Sequence, residues 1–305
     1  MSPQAAGGHK AGFVAIVGAP NAGKSTLLNR LLGEKVAIVT DKPQTTRHRI
    51  LGVLTRPAAQ LIFWDTPGLH EPGRLPLNRE MMNRALAALS DSDLALWVVD
   101  GLRQGPEHRL ALEAVRPLGG PGRRLLAAVN KIDALPDKTA LLPILAEIET
   151  AVRPAALVPV SAKTGDGLEA LEGEIIKLLP ENPPLYPEDA LTDQPERAIA
   201  AEMIREAVFR LTSREVPYAT AVTVDEFKAQ GDLARLSATI HVERDSQKGI
   251  VIGAGGARLK SIGQAARREL ERFLGTRVYL RLFVRATRDW SKKPSALLEF
   301  GYRDG

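Results

Sequence analysis

The chain has 305 residues, 44% hydrophobic and 25% charged, which at ~100–200 residues per domain fits two globular domains and excludes global disorder. With no cysteine, disulfides, thiolate metal sites and cysteine nucleophiles are excluded, and a reducing, cytoplasmic setting is expected. The net charge is +5, with 41 basic and 36 acidic residues, and it is unevenly spread: residues 1–180 carry +3, residues 181–240 carry −5, residues 241–290 carry +6 and the rest +1. A basic block after an acidic one suggests a patch for a polyanion, or more plainly a solvated charged face. No apolar run approaches the ~18 residues of a membrane span, and residues 1–12, which lack an apolar signal core, read as a short frayed tail.

Residues 13–17 read as a buried strand. Gly18-Ala19-Pro20-Asn21-Ala22-Gly23-Lys24-Ser25 follows and leads through Thr26 into a helical pattern. This is G-x-x-x-x-G-K-S/T in the strand–loop–helix setting that gives the pattern meaning. Its glycines let backbone N–H groups turn inward around phosphate oxygens at the positive end of a helix. Lys24 then reaches the β- and γ-phosphates, and the Ser25 hydroxyl is suited to ligate Mg²⁺.

Next comes Gln44-Thr45-Thr46-Arg47-His48. A threonine here can close over Mg²⁺ when a γ-phosphate is present, which makes the segment a switch. Thr46 is the first choice and Thr45 the second; a polar surface loop is the plain alternative. Residues 49–55 and 61–64 read as an antiparallel hairpin that ends on Asp65-Thr66-Pro67-Gly68. The Asp65 carboxylate can hold Mg²⁺ through a water and the Gly68 amide can sense the γ-phosphate; an ordinary turn is the alternative. Leu69 stands where Ras-like enzymes place a water-orienting glutamine, and His70 is next along.

Strands are expected at 94–99, 125–129 and 157–160, separated by stretches long enough for crossover helices, as in a mostly parallel sheet covered on both faces. The fifth run leads into Asn130-Lys131-Ile132-Asp133. A carboxylate at Asp133 matches the N1–H and N2–H₂ donors of guanine, whereas adenine presents it with a lone pair, an unpaired contact costing ~1–3 kcal/mol. Asn130 can brace the loop and meet the Hoogsteen edge, Lys131 can lay its stem over the ring, and after the last strand the Ala162 amide in Ser161-Ala162-Lys163 can donate to guanine O6. The bound nucleotide is therefore expected to be GTP or GDP with Mg²⁺.

Prolines at 180, 183, 184, 187 and 195 break helical continuity, so residues 1–180, ordered from about 11, form one domain, 181–196 a linker and 197–305 a second domain with a C-terminal tail. The second domain reads as helix (197–211), strand (218–227), strand (233–242), helix and strand (276–286), with a turn at 230–232. The second helix carries the stripe Leu259, Ile262, Ala266, Leu270 and Phe273 and ends at Gly275. Before it, after a strand-like apolar run, stands Gly253-Ala254-Gly255-Gly256. Such a G-x-x-G loop lets phosphates approach bare backbone in KH folds, with the helix N-terminus, Lys248, Arg258, Lys260, Arg267 and Arg268 adding positive charge. A glycine turn capping a helix among solvated arginines is the alternative.

The chain resembles the translation-factor-related GTPases and, among them, the Era family of bacterial GTPases with a C-terminal type II KH domain. Pro20-Asn21, Pro43-Gln44-Thr45-Thr46-Arg47-His48-Arg49, Asp65-Thr66-Pro67-Gly68-Leu69-His70, Val251-Ile252-Gly253-Ala254-Gly255-Gly256 and Leu259-Lys260-Ser261-Ile262-Gly263 carry the resemblance. It implies GTP hydrolysis with Mg²⁺, binding of 16S ribosomal RNA near its 3′ end, action in assembly of the small (30S) ribosomal subunit, and a cytoplasmic protein sometimes peripheral at the inner membrane, with no DNA partner. It also implies a role for the Asn21 amide oxygen in holding K⁺ beside the β–γ bridge, and hence slow, K⁺-stimulated turnover. The RNA site it implies comprises Lys248, Ile252, Gly253, Ala254, Gly255, Gly256, Arg258, Leu259, Lys260 and Ile262. Ala254 departs from the lysine that many relatives carry, which removes a phosphate contact while leaving the glycine geometry intact; Arg258, Lys260 and Lys248 stand near enough in sequence to compensate. Competing readings are an RNA-binding scaffold whose switch domain binds but weakly hydrolyses GTP, another GTPase of the superfamily acting on tRNA, and a phosphate-loop kinase.

Overall fold

The computed structural model describes residues 8–302 except 72, 74, 104, 121 and 123. Two compact units form: most of the first 193 residues make one, and Gln194 onward makes the other together with Ile38–Thr45 and Gly73–Glu80.

The first unit runs β1 (Lys10–Val17), α1 (Lys24–Leu32), β2 (Ile50–Arg56), β3 (Ala59–Asp65), α2 (Pro76–Asp91, from Met81 onward in this unit), β4 (Leu94–Asp100), α3 (Pro106–Val115), β5 (Leu125–Asn130), α4 (Leu141–Val152), β6 (Ala156–Pro159) and α5 (Leu168–Leu178). The strand order is β2-β3-β1-β4-β5-β6, with β2 antiparallel to β3 and the other pairs parallel. Side-chain alternation splits the core. Val14 and Ile16 pack with Leu27 and Leu28 of α1 and Leu171 and Ile175 of α5, while Ala15 and Val17 pack with Ala85 and Ala88 of α2, Ala111 of α3 and Ile148 of α4. Both faces are covered, so β3, β4 and β5 are buried throughout and read as continuous apolar runs. The parallel strands present their carboxyl ends along one edge, where such sheets bind ligands.

The expected strands are present, with two revisions. The frayed tail expected over residues 1–12 is revised in its described part: Lys10–Gly12 belong to β1, where Ala11 is buried and Ala11 N–H donates to Pro180 O (3.2 Å), while residues 1–7 lie outside the described residues. The sixth strand starts a residue early and stops at Pro159. The proline-rich stretch runs along the β2–β3 side of this unit. Gln60 Oε1 accepts from Leu185 N and Tyr186 N, Gln60 Nε2 donates to Tyr186 O, Val53 N donates to Leu191 O and Thr192 Oγ1 donates to Leu51 O. These contacts give partners to β2, an edge strand.

The second unit contains α6 (Glu196–Leu211), β7 (Ala221–Gln230), β8 (Leu233–Val242), α7 (Asp245–Ile252), α8 (Ala257–Leu274), β9 (Arg277–Ala286) and α9 (Pro294–Glu299). Its sheet has the order β7-β8-β9, with β7–β8 antiparallel and β8–β9 parallel. Ile199, Met203, Ile204, Ile262, Ala266 and Leu270 cover one face of that sheet. Three elements differ from the sequence reading. The strand expected at 218–227 is β7 at Ala221–Gln230, three residues later and reaching into the expected turn. The apolar run before the glycine loop is the end of helix α7, whose Val251 is a core residue; eight residues hold too few apolar repeats to show a helical period. The chain also forms α9 beyond the last strand. Among the described residues no helix is long and apolar enough to cross a membrane.

Candidate functional site

Gly18 (φ 151°), Asn21 (φ 60°) and Gly23 (φ 95°) turn the loop between β1 and α1. The two glycines are required by packing as well as by angle: a Cβ on Gly18 would lie 2.3 Å from Val98 O, and one on Gly23 2.2 Å from the Asn130 amide nitrogen. Buried Lys24 folds back over the loop, its Nζ donating to Gly18 O (3.1 Å) and Ala19 O (2.9 Å). Burial lowers its pKa to about 8, partly opposed by the charge of Asp65.

Three oxygen ligands separated in sequence converge at the start of α1. Ser25 Oγ donates to Asp65 Oδ2 (2.5 Å) and lies 2.9 Å from Thr46 Oγ1, which is 3.4 Å from Asp65 Oδ2. Asp65 is fully buried, which pushes its pKa up to about 6 against the pull of Lys24 and of the hydrogen bonds from Ser25 and Thr46. Its Oδ1 makes no hydrogen bond. A buried, unsatisfied carboxylate oxygen beside two hydroxyls is a hard-oxygen donor set that suits Mg²⁺. Thr45 does not join them; its hydroxyl contacts Thr40 Oγ1 (2.6 Å) and donates to Lys42 O (2.7 Å).

Gly68 is set directly against the phosphate loop, since a Cβ there would lie 2.8 Å from Pro20 Cα. Leu69 N donates to Gly18 O (3.0 Å), and Thr66 Oγ1 donates to Ile16 O (2.8 Å). The loop after β3 is therefore bonded to the loop after β1. Leu69 is buried, and His70 is also buried with Nδ1 2.8 Å from Gly68 O.

At the end of β5, Asn130 is 2% exposed. Its Nδ2 donates to Ala22 O (2.8 Å) and its Oδ1 accepts from Ala162 N (2.9 Å). It braces two loops at once, and the Ala162 amide, expected to face a guanine carbonyl, points at Asn130. The Asp133 side chain is 16% exposed; Oδ1 accepts from Ser161 Oγ (2.6 Å) and Oδ2 lies 4.0 Å from Lys163 Nζ. Lys131 adopts φ 70° and its Nζ donates to Asp100 Oδ2 (2.7 Å). Asp100 was not anticipated, although an aspartate closing an apolar run is a visible signal. Asn29 was also missed: its Oδ1 accepts from Val36 N and Ala37 N, fixing the chain that leaves α1.

In the second unit, Gly253, Gly255 and Gly256 have φ of 72°, 57° and 81° and link α7 to α8. A groove of about 440 Å³ opens between α8 and β9, lined by Gly256, Leu259, Lys260, Gly263, Arg267 and Leu282 among others. Most of the expected RNA residues do not line it. Lys248, Ile252, Gly253, Ala254 and Gly255 stand along or before the loop, outside the groove lining. Ile262, which the family resemblance placed in the RNA site, is a fully buried core residue, because it belongs to the apolar stripe by which α8 packs on the sheet. Arg258 turns back to donate to Ile250 O, and Arg268 lies on the α6 side of α8. Gly263 and the β9 residues that form the opposite wall escaped the sequence reading, since strand alternation alone does not reveal which helix faces a strand.

A phosphate loop bonded to the D-x-x-G loop, an N-K-x-D loop braced against both flanks, and a separate G-x-x-G module with an open groove define the class: a P-loop GTPase domain joined to a KH domain. The comparisons agree. Residues 13–131 match a family model described as 50S ribosome-binding GTPase, and residues 215–291 match one described as KH domain. The chain is 50% identical to GTPase Era of Geobacter metallireducens over 96% of this chain and 98% of that one, and 48% identical to GTPase Era of Syntrophus aciditrophicus over 97% and 96%. The crystal structure of a point variant of Aquifex aeolicus Era bound to GDP·AlF₄⁻ superposes with a TM-score of 0.92 at 41% identity, covering 97% of this chain and all of that one. A structure of Era in complex with MgGDPNP and nucleotides 1506–1542 of 16S ribosomal RNA matches with the same values. This chain belongs to the GTPase Era family.

Proposed function

We propose that this GTPase hydrolyses GTP to GDP and phosphate at the β1–α1 loop and holds 16S ribosomal RNA near its 3′ end in the α8–β9 groove, acting in assembly of the small ribosomal subunit. The convergence of Ser25, Thr46 and Asp65 on one point is the observation that supports the catalytic half most strongly. Ser25 and Thr46 would hold Mg²⁺, with Asp65 as its buried anionic partner. Mg²⁺ when bound neutralises charge across the β- and γ-phosphate oxygens. Lys24 leaves its loop carbonyls for the phosphates, the Gly18–Ser25 amides together with Thr26 line the phosphate cradle, and the Gly68 amide reads the γ-phosphate. Asp133 selects guanine, oriented by Ser161 and flanked by Lys163, while Asn130 locks the base loop to Ala22 and Lys131 covers the ring.

With Leu69 in place of a glutamine, no side chain at that position orients water, so turnover is slow. Asn21, exposed in the loop at φ 60°, offers an amide oxygen suited to K⁺, whose charge substitutes for an arginine finger. Cytoplasmic residence with peripheral association at the inner membrane belongs to the same reading and rests on the family resemblance. The 30S subunit is the corresponding partner, consistent with the relative whose structure holds a 16S segment.

The RNA half is tested with Gly255→Asp/Gly256→Asp. Neither position has an atom within 4 Å of an added Cβ, but both hold left-handed φ (57° and 81°), where an aspartate is strained, so the fold of the variant is checked by circular dichroism and thermal melting before negative charge placed where phosphates must lie is read as the cause of lost binding. RNA affinity at fixed salt should fall sharply, with guanine-nucleotide affinity as the control. Retained RNA affinity in the folded double variant places the groove elsewhere.

A further inference from the structure

β9 has two usable faces. Val278, Leu280, Leu282 and Val284 point at the helices, whereas Arg277, Tyr279, Arg281, Phe283 and Arg285 alternate on the opposite, open side. Tyr279 is 51% and Phe283 49% exposed, which is unusual for large rings on a sheet whose other face is a complete core. The adjacent strand adds Arg235, across from Tyr279 and 5.8 Å from the ring centroid, and Arg281 stands 5.9 Å from the Phe283 centroid. At ~3.3 Å per residue, alternate positions recur every ~6.6 Å, so cations and rings form a regular ladder.

Charge on this face is in excess. Arg277 is paired with Asp232 and Lys228 with Glu226, and Asp225 accepts from the Thr223 and Thr239 hydroxyls. Arg235, Arg281 and Arg285 form no ion pair among the described residues, although Glu226 lies in the field of the first two. At the far end the face is closed, where the Phe300 ring packs 4.6 Å from His241. β9 is the edge strand, and Tyr279 also lines the α8–β9 groove. The groove and the open face are therefore continuous around one strand.

We propose that this open sheet face is a second RNA subsite. Single-stranded RNA leaving the groove passes around the edge of β9, stacks bases on Tyr279 and Phe283, and sets its phosphates against Arg235, Arg281 and Arg285. Interleaved aromatic and basic side chains on a sheet are the chemistry that holds unpaired nucleotides, whereas a duplex conceals the base faces that the rings require. The inference rests on the reading of the groove as an RNA site and extends it, because a KH groove accommodates only about four nucleotides.

The test uses the full chain and nested oligoribonucleotides cut from nucleotides 1506–1542 of 16S ribosomal RNA, from about four to about ten nucleotides long. Phe283→Ala and Arg281→Ala, both outside the groove lining, should leave affinity for the shortest groove-binding oligonucleotide within about twofold. Each should weaken the extended one roughly tenfold, and Arg281→Ala should also lower the salt slope by about one ion. Phe283→Tyr should restore binding, since any flat ring serves. Ultraviolet crosslinking should join the extended RNA to Phe283 or Tyr279. An extension that adds no affinity in the unaltered protein, or a gain that survives both alanine variants, overturns the second subsite while leaving the groove intact. Absence of binding at every length overturns the groove reading as well. Preferential capture of phosphatidylserine vesicles through Phe283 and Arg281, without the length effect, also overturns the proposal.

Discussion

Asp133→Asn should move base preference from guanine to xanthine. In the folded protein the carboxylate is fixed before any nucleotide arrives: Ser161 Oγ donates to Oδ1 at 2.6 Å, and Oδ2 lies 4.0 Å from Lys163 Nζ. That leaves two acceptor oxygens for the N1–H and N2–H₂ of guanine. A hydrogen bond to a charged partner contributes ~1.5–3 kcal/mol and an unsatisfied donor costs ~1–3 kcal/mol, so an asparagine, which keeps one acceptor oxygen but sets an NH₂ against the guanine amino group, costs about 2.5–6 kcal/mol, or roughly 10²–10⁴-fold in Kd. In the asparagine variant, Ser161 still donates to the amide oxygen, which directs the NH₂ toward the base. That NH₂ clashes electrostatically with the guanine amino group but pairs with the C2 carbonyl of xanthine. Titrating GTP and xanthosine triphosphate against the folded variant should give a reversed preference, and Ser161→Ala in the native background should weaken GTP by about tenfold or less, the worth of one orienting bond. Undiminished GTP affinity in Asp133→Asn removes this residue from the base site.

The sheet of the first unit was legible because fully buried strands write themselves as apolar runs, and the nucleotide motifs were legible because each sits at a strand end. Of the two threonines that could close over Mg²⁺, Thr46, the first choice, is the one whose hydroxyl lies beside Ser25 and Asp65. Sequence order was silent about the braces that make the site rigid. The role of Asn130 is split between Ala22 and Ala162, in loops after β1 and β6, and Asp100 restrains Lys131 through the parallel register of β4 and β5; no local pattern encodes either arrangement. In the second unit the helical stripe already held Ile262 in its apolar face, and it is that face, not the groove, that Ile262 occupies. Arg258 shows the same limit for charge: proximity to the glycine loop in sequence did not reveal that its side chain folds back onto Ile250 O.

Two further outcomes are expected. Hydrolysis should run faster in K⁺ than in Na⁺ at matched ionic strength, with Asn21→Ala erasing the difference; a finger-like charge contributes ~10³–10⁵-fold where one is used, and equal rates in the two buffers would refute a cation at Asn21. The other outcome concerns Gly263→Leu, which separates stability from binding. Gly263 lies within α8, where glycine costs ~0.5–1 kcal/mol relative to alanine, and an added Cβ would meet a single atom, Leu282 Cδ1, at an ordinary 3.6 Å. The missing side chain therefore leaves the groove open rather than serving close packing. Leucine should raise the melting temperature of the KH unit by a few degrees while its side chain fills the space between α8 and β9, so that RNA affinity falls by ~1–3 kcal/mol, or roughly 5- to 150-fold. Calorimetry and a fluorescence titration on the same sample distinguish the possibilities. A raised melting temperature with unchanged RNA affinity would mean that RNA does not enter the groove, and a lowered one would mean that the space beside Gly263 is packed in solution and is no groove at all.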